Sequence, residues 1–356
     1  MTPTITYLEA IVIGIVQGVS EMFPVSSLGH SVLVPALVGG SWARDLSMTG
    51  DQSPYLALLV AMHVATALAL VVYFWRDWVR LIGALITSVG RRRVRTSDER
   101  LAWLLVLATL PVGLVGLLLE HALRGALGRP VPAAVFLTVN GVVLVAVERI
   151  HRHQALAAGT GVTERRSGSR SDQPLPRTYG HAPDDTHTPQ AGTEAVDSCT
   201  QDKVLVRAGE VSSVRDGDLE TARAADQRLS ELSVREAVVI GSAQCLALLP
   251  GFSRSGVTIA AGLLGGLRRE DAARYAFLLA TPVILAAGLL KIPELFTPAH
   301  ASVLGPALVG SVVAGLCAYV SVRFLSAYFR TRTLTPFALY CVVAGVGSLL
   351  FLTMTA

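Results

Sequence analysis

The chain has 356 residues, of which 52% are hydrophobic and only 16% are charged, and its formal net charge is +4. With a mean hydropathy of +0.53, it is too apolar for an ordinary soluble enzyme of this size. Its basic residues lie between apolar stretches and its four cysteines form no Cys-x-x-Cys pair, which argues against a nucleic-acid-binding protein, a disulfide scaffold or a zinc protein.

Six apolar stretches approach or exceed the roughly 20 residues that a helix needs to cross a bilayer. They lie at about 55–75, 101–120, 131–149, 272–291, 303–325 and 334–354. None shows the short alternating pattern of an outer-membrane strand. The N-terminus lacks the features of a cleavable signal, so the first apolar run is expected to belong to the mature fold. The sequence therefore predicts an all-α polytopic membrane protein.

Four shorter apolar stretches form two pairs, and each pair is interrupted by a polar segment that contains proline. They predict two re-entrant helical hairpins, at 5–40 and 234–267. Each hairpin precedes three long spans, so the chain divides into a first membrane repeat at 1–150 and a second at 234–356. The segments "IGIVQGVSEMFPVSSLGH" and "IGSAQCLALLPGFSRSG" support the repeat, because both read IGxxQ, then proline, then serines and a glycine.

Three spans in each half give the two repeats opposite orientations in the membrane, which is an inverted-topology repeat. The segment 76–100 carries seven arginines, which predicts that it is a cytoplasmic loop. Counting spans from there places 151–233 in the cytoplasm and both termini outside. Because 151–233 is rich in Gly, Ser, Thr, Pro and charged residues, we expect a largely disordered loop, either a linker or a regulatory segment.

The first polar segment predicts an anion site at the tip of a hairpin. Gln17 and Glu21 are four residues apart and share one face of a helix. Ser26 and Ser27 lie at the start of the next helix, where free backbone N–H groups and the helix dipole favour an anion. His30 follows one turn later and is expected on the same side as Ser27.

The second polar segment, "PGFSRSG", adds a positive charge. An arginine at membrane depth is a functional-site hypothesis by default, and the guanidinium of Arg254 suits a phosphate or a carboxylate. Because inverted repeats bring their broken helices together near the midplane, we expect Arg254 to face the first segment. The predicted phosphate-binding residues are Ser26, Ser253, Arg254, Ser255 and Gly256.

Other interpretations of the polar residues stay open. The ion pair between Glu21 and Arg254 could be purely structural. Gln17 and Gln244 occupy matching positions in the two repeats, and each either supports its own hairpin or binds the ligand. His63 is interpreted as a packing residue, as a lone histidine in a span usually is.

Together, an arginine, several amides, a carboxylate, a hydroxyl and an imidazole favour phosphoryl transfer. An anion transporter would need only the arginine and the amides, so Ser27 and His30 favour an enzyme. A transporter remains the alternative, because inverted repeats with broken helices are its usual architecture.

The two polar segments, "QGVSEMFPVSSLGH" and "PGFSRSG", resemble the signature motifs of the bacterial undecaprenyl-diphosphatase family, also known as bacitracin-resistance proteins. The stretches "HVATALALVVYFWRDW" and "YAFLLATPVILAAGLLK" extend the similarity to most of the chain outside 151–233. Gln17 stands where some relatives have glutamate, Leu28 replaces the usual threonine or serine, and the long insert is atypical.

The resemblance implies hydrolysis of undecaprenyl diphosphate to the monophosphate carrier of peptidoglycan synthesis, and hence bacitracin resistance. It also implies a site open to the outer face of the bacterial inner membrane. Family membership suggests Mg²⁺ or Ca²⁺, which would bridge the diphosphate and Glu21, the one candidate metal ligand. The alternative function is a transporter or flippase for a polyprenyl phosphate, and a homodimer stays open.

A mechanism follows as a hypothesis. Arg254, with the neighbouring serine hydroxyls and amides, would hold the terminal phosphate. Ser27 would attack it while His30 or Glu21 takes the proton, and water would resolve the phosphoserine. In the alternative, His30 attacks and Ser27 only binds.

Overall fold

A computed structural model of the protein describes residues 5–48, 53–127, 129–167 and 220–355, and its regular elements within these ranges are all helical. The chain divides into a membrane unit, Met1–Arg152 with Ala225–Ala356, and a second unit, His153–Ala224. In its described part, the second unit is helical at 153–167 and 220–224.

The predicted short and long helices occur in the predicted order, and within the described ranges three further helices lie between them. The first half contains α1 (Tyr7–Met22), α2 (Ser27–Val38), α3 (Gly40–Asp45), α4 (Pro54–Tyr73), α5 (Trp75–Arg91), α6 (Ser97–Leu127) and α7 (Pro130–Ser167). The second half begins with α8, described at 220–230. It continues with α9 (Val234–Ser242), a 3₁₀ turn (Ala243–Leu248), α10 (Arg254–Leu264), α11 (Arg269–Leu295), a 3₁₀ turn (Pro298–Val303), α12 (Leu304–Tyr328) and α13 (Thr335–Thr355).

Among the described residues, six helical segments are long and apolar enough to cross a membrane, and they confirm the six predicted spans. These segments are Pro54–Tyr73, Ser97–Leu119, Pro130–Gln154, Arg269–Pro293, His300–Tyr328 and Thr335–Thr355. By contrast, α1 has 16 residues, which is about 24 Å of helix and too short for a hydrocarbon core of about 30 Å. The helices α2 and α10 are shorter still, with 12 and 11 residues.

The two short-helix pairs begin with the same local structure. Thr6 caps α1 and forms a capping box with Glu9, and Ser233 forms the same box with Glu236 at the start of α9. In each box the hydroxyl accepts from the backbone N–H three residues later while the glutamate accepts from the backbone N–H of the cap. The sequence repeat therefore extends to local structure, while the inverted orientation of the halves stays a prediction.

Close packing of α1 against α12 holds the first short helix in place. A Cβ atom added to Gly14 would lie 2.5 Å from the carbonyl oxygen of Gly310, and one added to Gly310 would lie 2.8 Å from the carbonyl oxygen of Ala10. Small residues allow such close approach of two backbones, which is how helices associate in a membrane. The helix α12 also packs against α4, so the first short helix, α12 and α4 form one group.

The prediction of a loop at 76–100 is wrong for most of its length, because α5 covers Trp75–Arg91. The exposed residues Val79, Ile82 and Ile86 recur at helical spacing, which is the pattern of an amphipathic helix. The prediction followed the arginines and overlooked this period.

The predicted loop at 151–233 is also too long at both ends. The helix α7 continues to Ser167, and residues 220–230 are helical, while 168–219 lie outside the described residues. Ala225 and Leu229 are buried in the core of the membrane unit. The second stretch of chain that belongs to the membrane unit thus begins at Ala225, nine residues before the predicted start of the second repeat at 234.

Ion pairs hold residues 225–230 of α8 in place within the membrane unit. Asp226 accepts two hydrogen bonds from Arg274, at 2.7 and 3.0 Å, and another from Arg80. The side chain of Arg228 donates to both carboxylate oxygens of Asp271, at 2.8 and 2.6 Å. Such bidentate pairs fix geometry as well as adding attraction, so residues 225–230 are anchored to α5 and α11.

We expect Gly14→Ala to destabilise the protein, because the new methyl group would meet the carbonyl of Gly310 and force α1 away from α12. Overpacking of this kind costs about 1–3 kcal/mol. The matched control is Gly113→Ala in α6, where an added Cβ meets nothing within 4 Å. Thermal unfolding in detergent measures both, and equal melting temperatures for the two variants would contradict the prediction.

Candidate active site

The two interrupted hairpins meet at Ser26, which is the N-cap of α2. Its hydroxyl accepts a hydrogen bond from the N–H of Gly29 at 3.1 Å and another from the N–H of Gly251 at 3.2 Å. Ser26 has a φ of 71°, a left-handed conformation that is uncommon for residues other than glycine. The residue whose side chain joins the two hairpins therefore has a strained backbone conformation.

Further hydrogen bonds join the same two turns. The carbonyl oxygen of Phe23 accepts from the hydroxyls of Ser253 at 3.3 Å and Ser255 at 3.2 Å. The buried amide of Asn140, on α7, donates to the carbonyl of Pro24 and accepts from the N–H of Ser253, both at 3.3 Å. The predicted meeting of the two polar segments is confirmed, and a third helix supports it.

Several predicted phosphate-binding groups are engaged in these contacts. The hydroxyl of Ser253 also accepts from the N–H of Gly256 at 3.1 Å, as the hydroxyl of Ser26 does in the first turn. The polar groups of Ser26, Ser253, Ser255 and Gly256 thus hold the turns together. Their binding of phosphate stays a prediction, and it would require some of these hydrogen bonds to be exchanged.

The carboxylate of Glu21 lies at the centre of the site. One oxygen, Oε2, accepts from the amide of Gln17 at 2.9 Å and from the hydroxyl of Ser27 at 2.5 Å. The same oxygen is 3.3 Å from Nε2 of His63, while Oε1 is 4.0 Å from Nη1 of Arg254. The predicted shared face of Gln17 and Glu21 is confirmed, and both hairpins contribute to one cluster.

A small pocket opens beside this carboxylate. It is lined by Ser20, Glu21, Ser27, Leu28, His63, Ala247, Phe252, Ser253 and Arg254. Nη1 of Arg254 is buried and has no hydrogen-bond partner within the described ranges. Because an unsatisfied buried donor is costly, especially when it is charged, this nitrogen is suited to bind an anion that enters the pocket.

Ser27 lines the pocket and His30 does not, so the prediction that both side chains face the site is wrong. Nδ1 of His30 is 2.6 Å from the carbonyl oxygen of Ser26, and Nε2 is 2.8 Å from the hydroxyl of Tyr340. The imidazole also stacks on the Tyr340 ring. Although the spacing from Ser27 is one helical turn, the side chain is directed toward α13, and neither ring nitrogen is available to the pocket in this arrangement.

His63 was interpreted as a packing residue, and this interpretation is wrong. The residue lines the pocket and lies within contact distance of Glu21. An ionisable residue inside an apolar span is a functional candidate by default. This reasoning, which identified Arg254 from the sequence, applies equally to His63. Asn140, which the sequence analysis did not consider, is a second polar residue inside a span.

The two glutamines differ in their surroundings. Gln17 touches Glu21 but keeps its amide oxygen buried without a hydrogen-bond partner among the described residues. Gln244 is 1% exposed, and within the same part of the chain neither atom of its amide has a partner. Their equivalence in sequence thus does not extend to equal contacts, and the supporting role of Gln244 stays a prediction.

The fold defines an integral membrane protein, and its two interrupted hairpins enclose a small polar pocket lined by a carboxylate and a guanidinium. The chain matches the family described as "Bacitracin resistance protein BacA" over residues 10–169 and 205–347. It therefore belongs to the bacitracin resistance protein BacA family, and the resemblance in the sequence is confirmed.

Curated relatives align along almost the whole chain. It is 51% identical over 354 residues to an undecaprenyl-diphosphatase of Mycolicibacterium paratuberculosis, covering 99% of this chain and 100% of that protein. It is 52% identical over 360 residues to undecaprenyl-diphosphatase 1 of Frankia casuarinae, covering 96% of each. With undecaprenyl-diphosphatase 2 of Chromobacterium violaceum the identity is 37% over 348 residues, covering 97% and 98%. The insert is thus not atypical among these relatives.

The contacts of Ser26 predict that Ser26→Ala lowers stability, because two buried N–H groups lose their acceptor. Each such loss costs about 1–3 kcal/mol. The neighbouring Ser27→Ala is the matched control, since the hydroxyl of Ser27 contacts Glu21 and does not join the two turns. Thermal unfolding should show a lower melting temperature for Ser26→Ala than for Ser27→Ala, and a parental melting temperature for Ser26→Ala would refute the crosslink.

Proposed function

We propose that this chain is a membrane phosphatase that hydrolyses undecaprenyl diphosphate to undecaprenyl phosphate and inorganic phosphate. One observation carries the proposal: the hydroxyl of Ser27 lies 2.5 Å from the carboxylate of Glu21, in a pocket that Arg254 also lines. A nucleophile, a base and a cation at one place are what phosphoryl transfer needs. The names of the relatives from M. paratuberculosis and F. casuarinae support this substrate.

In the first step the oxygen of Ser27 attacks the terminal phosphorus. A bond forms between this oxygen and phosphorus, and the bond from phosphorus to the bridging oxygen breaks. The hydroxyl proton passes to Glu21, and undecaprenyl phosphate leaves. Water then attacks the phosphoserine: its oxygen bonds to phosphorus, and the bond from phosphorus to the serine oxygen breaks. The serine oxygen recovers its proton from Glu21, inorganic phosphate leaves, and the second proton of the water passes to solvent.

Arg254 stabilises the negative charge of the transferring group. Its buried Nη1, without a partner in the described part of the chain, can donate to a phosphate oxygen, and the guanidinium fork matches phosphate geometry. The separation of 4.0 Å from Glu21 is too long for a hydrogen bond. The cation therefore stays available to the substrate while it still balances the carboxylate charge.

The geometry favours Ser27 over His30 as the nucleophile. Ser27 lines the pocket and touches a base, whereas the nitrogens of His30 face Ser26 and Tyr340. His30 then acts on the reaction through the turn at Ser26. Of the two proton acceptors that the sequence left open, the contacts favour Glu21.

A divalent cation, Mg²⁺ or Ca²⁺, fits the proposal as a partner of the substrate. Within the described ranges, no three side chains of His, Cys, Asp or Glu are grouped to hold a metal. Mg²⁺ is commonly bound by one or two carboxylates together with substrate phosphates. Glu21 and the unpartnered amide oxygen of Gln17 would hold it, and the ion would neutralise diphosphate charge when bound.

The surroundings of the pocket suit a lipid substrate. Most of its residues come from short helices and turns, and His63 comes from the long span α4. The polyprenyl tail can therefore stay in the hydrocarbon while the diphosphate enters the polar pocket. The orientation that the arginines favour puts both termini outside and 151–233 in the cytoplasm of a bacterial inner membrane, with the pocket open to the outer face. There the product would re-enter peptidoglycan synthesis for cell-wall growth. A homodimer is not required, because one chain supplies both turns.

Purified protein in detergent with Mg²⁺ should release phosphate from undecaprenyl diphosphate, and Arg254→Ala should lower the rate about 10²–10³-fold, as for other donors to developing charge. Arg268→Ala is the matched control, because this exposed arginine lies just beyond α10, and its rate should stay parental. If folded parent released no phosphate, the proposal would fail and the alternative, a transporter or flippase for a polyprenyl phosphate, would gain.

A phosphoryl adduct should form on Ser27. Brief reaction with substrate labelled in the terminal phosphate, followed by acid quenching, should trap an acid-stable phosphoserine that is absent from Ser27→Ala. The label should persist in His30→Gln, because the nitrogens of His30 are directed away from the pocket. An acid-labile adduct that disappears in His30→Gln would instead make His30 the nucleophile.

A further inference from the structure

His63 reaches the site from outside the two interrupted hairpins. It lies on α4, the first long span, and its side chain, which is 22% exposed, lines the pocket. Its neighbours Leu59 and Met62 are buried in a core cluster that includes Ala314 of α12. The backbone that carries the imidazole is thus held by the bundle.

The imidazole has one orientation defined by both nitrogens. Nδ1 is 2.8 Å from the carbonyl oxygen of Leu59, and because a carbonyl only accepts hydrogen bonds, Nδ1 is the donor. This contact directs Nε2 toward the site, where it lies 3.3 Å from Oε2 of Glu21. A carboxylate oxygen also only accepts, so Nε2 holds Glu21 when the ring carries a proton on both nitrogens. A ring that merely filled space among apolar side chains would have no reason to direct a nitrogen at a carboxylate.

His63 contacts the same oxygen of Glu21 that would take the proton of Ser27 in the proposed reaction. Oε2 of Glu21 accepts from Ser27 and Gln17, whereas Oε1 faces Arg254 at 4.0 Å. The attraction of the guanidinium therefore draws the carboxylate away from the hydroxyl. Gln17 and His63 lie on the other side and oppose that movement.

We propose that His63 is a positioning residue of the active site, which keeps Oε2 of Glu21 against the hydroxyl of Ser27 and away from Arg254. The inference rests on the proposed function and adds to the active site a residue from α4, which lies outside the two interrupted hairpins. It predicts that His63 influences the chemical step through Glu21 and has little effect on the binding of the lipid.

The test compares substitutions at position 63 that differ in one property. His63→Gln keeps an N–H donor at a similar reach, and His63→Leu keeps an apolar side chain of comparable size without a donor. Leu68→Ala, at an exposed position on the same helix, is the matched control. For each variant, kcat and KM for undecaprenyl diphosphate are measured in detergent, and thermal unfolding is recorded.

We expect His63→Leu to lose about tenfold or more in kcat, since general acid–base groups contribute about 10²–10⁴-fold and a misplaced carboxylate forfeits part of this. KM should change less than kcat, and the melting temperature should stay close to that of the parent. His63→Gln should recover most of the rate, and Leu68→Ala should match the parent. This pattern separates positioning from packing, because a packing role would not be restored by a hydrogen-bond donor.

Other outcomes overturn the inference. Parental kcat in His63→Leu would do so, as would a raised KM with unchanged kcat, which would make His63 a binding residue. Equal losses in the Leu and Gln variants would also count against it. If His63→Leu does not fold, His63→Asn replaces it in the test, because the amide of asparagine is too short to reach Glu21. A parental kcat in His63→Asn would then overturn the inference.

The two proposals fail in distinguishable ways. If the parent itself releases no phosphate, the proposed function fails and the role of His63 falls with it. If the parent is active and His63→Leu is equally active, only the role of His63 is lost.

Discussion

The hydrogen bonds that join the two interrupted hairpins are the constraint on which the site depends. In membrane hydrocarbon, a backbone group without a partner is expensive, so broken helices persist only where protein groups satisfy their free ends. The hydroxyl of Ser26 does this for the backbone N–H of Gly251 in the other hairpin, and the hydroxyls of Ser253 and Ser255 do it for the backbone carbonyl of Phe23. These contacts bring a carboxylate from one half of the chain within reach of an arginine from the other.

Once the turns are joined, charge balance shapes the pocket. Glu21 is 8% exposed, and a buried carboxylate requires donors or an opposite charge. Gln17, Ser27 and His63 approach Oε2, while Arg254 stays 4.0 Å from Oε1. This division leaves the hydroxyl beside a base and the guanidinium beside an open space. One arrangement thus both stabilises a buried charge and leaves a guanidinium facing the pocket.

Local patterns in the sequence were sufficient for part of this structure. Apolar length located all six spans, and spacing of four residues placed Gln17 beside Glu21. The same reasoning failed for α5, where seven arginines between 76 and 100 concealed a helical period. It also failed at 225–230, where a helix in a polar region is held by ion pairs with distant residues, which no local pattern shows.

The sequence by itself determined the class of protein, the two polar turns and the family, because hydrophobic length and contiguous motifs are properties of the chain. Only the tertiary structure decided which imidazole joins the site. His30 is three residues from Ser27, yet its ring is directed toward Tyr340 on α13. His63 is more than thirty residues away along the chain, yet it contacts Glu21. The direction of a side chain depends on the helices packed around it, and that packing brings together residues that are distant in the sequence.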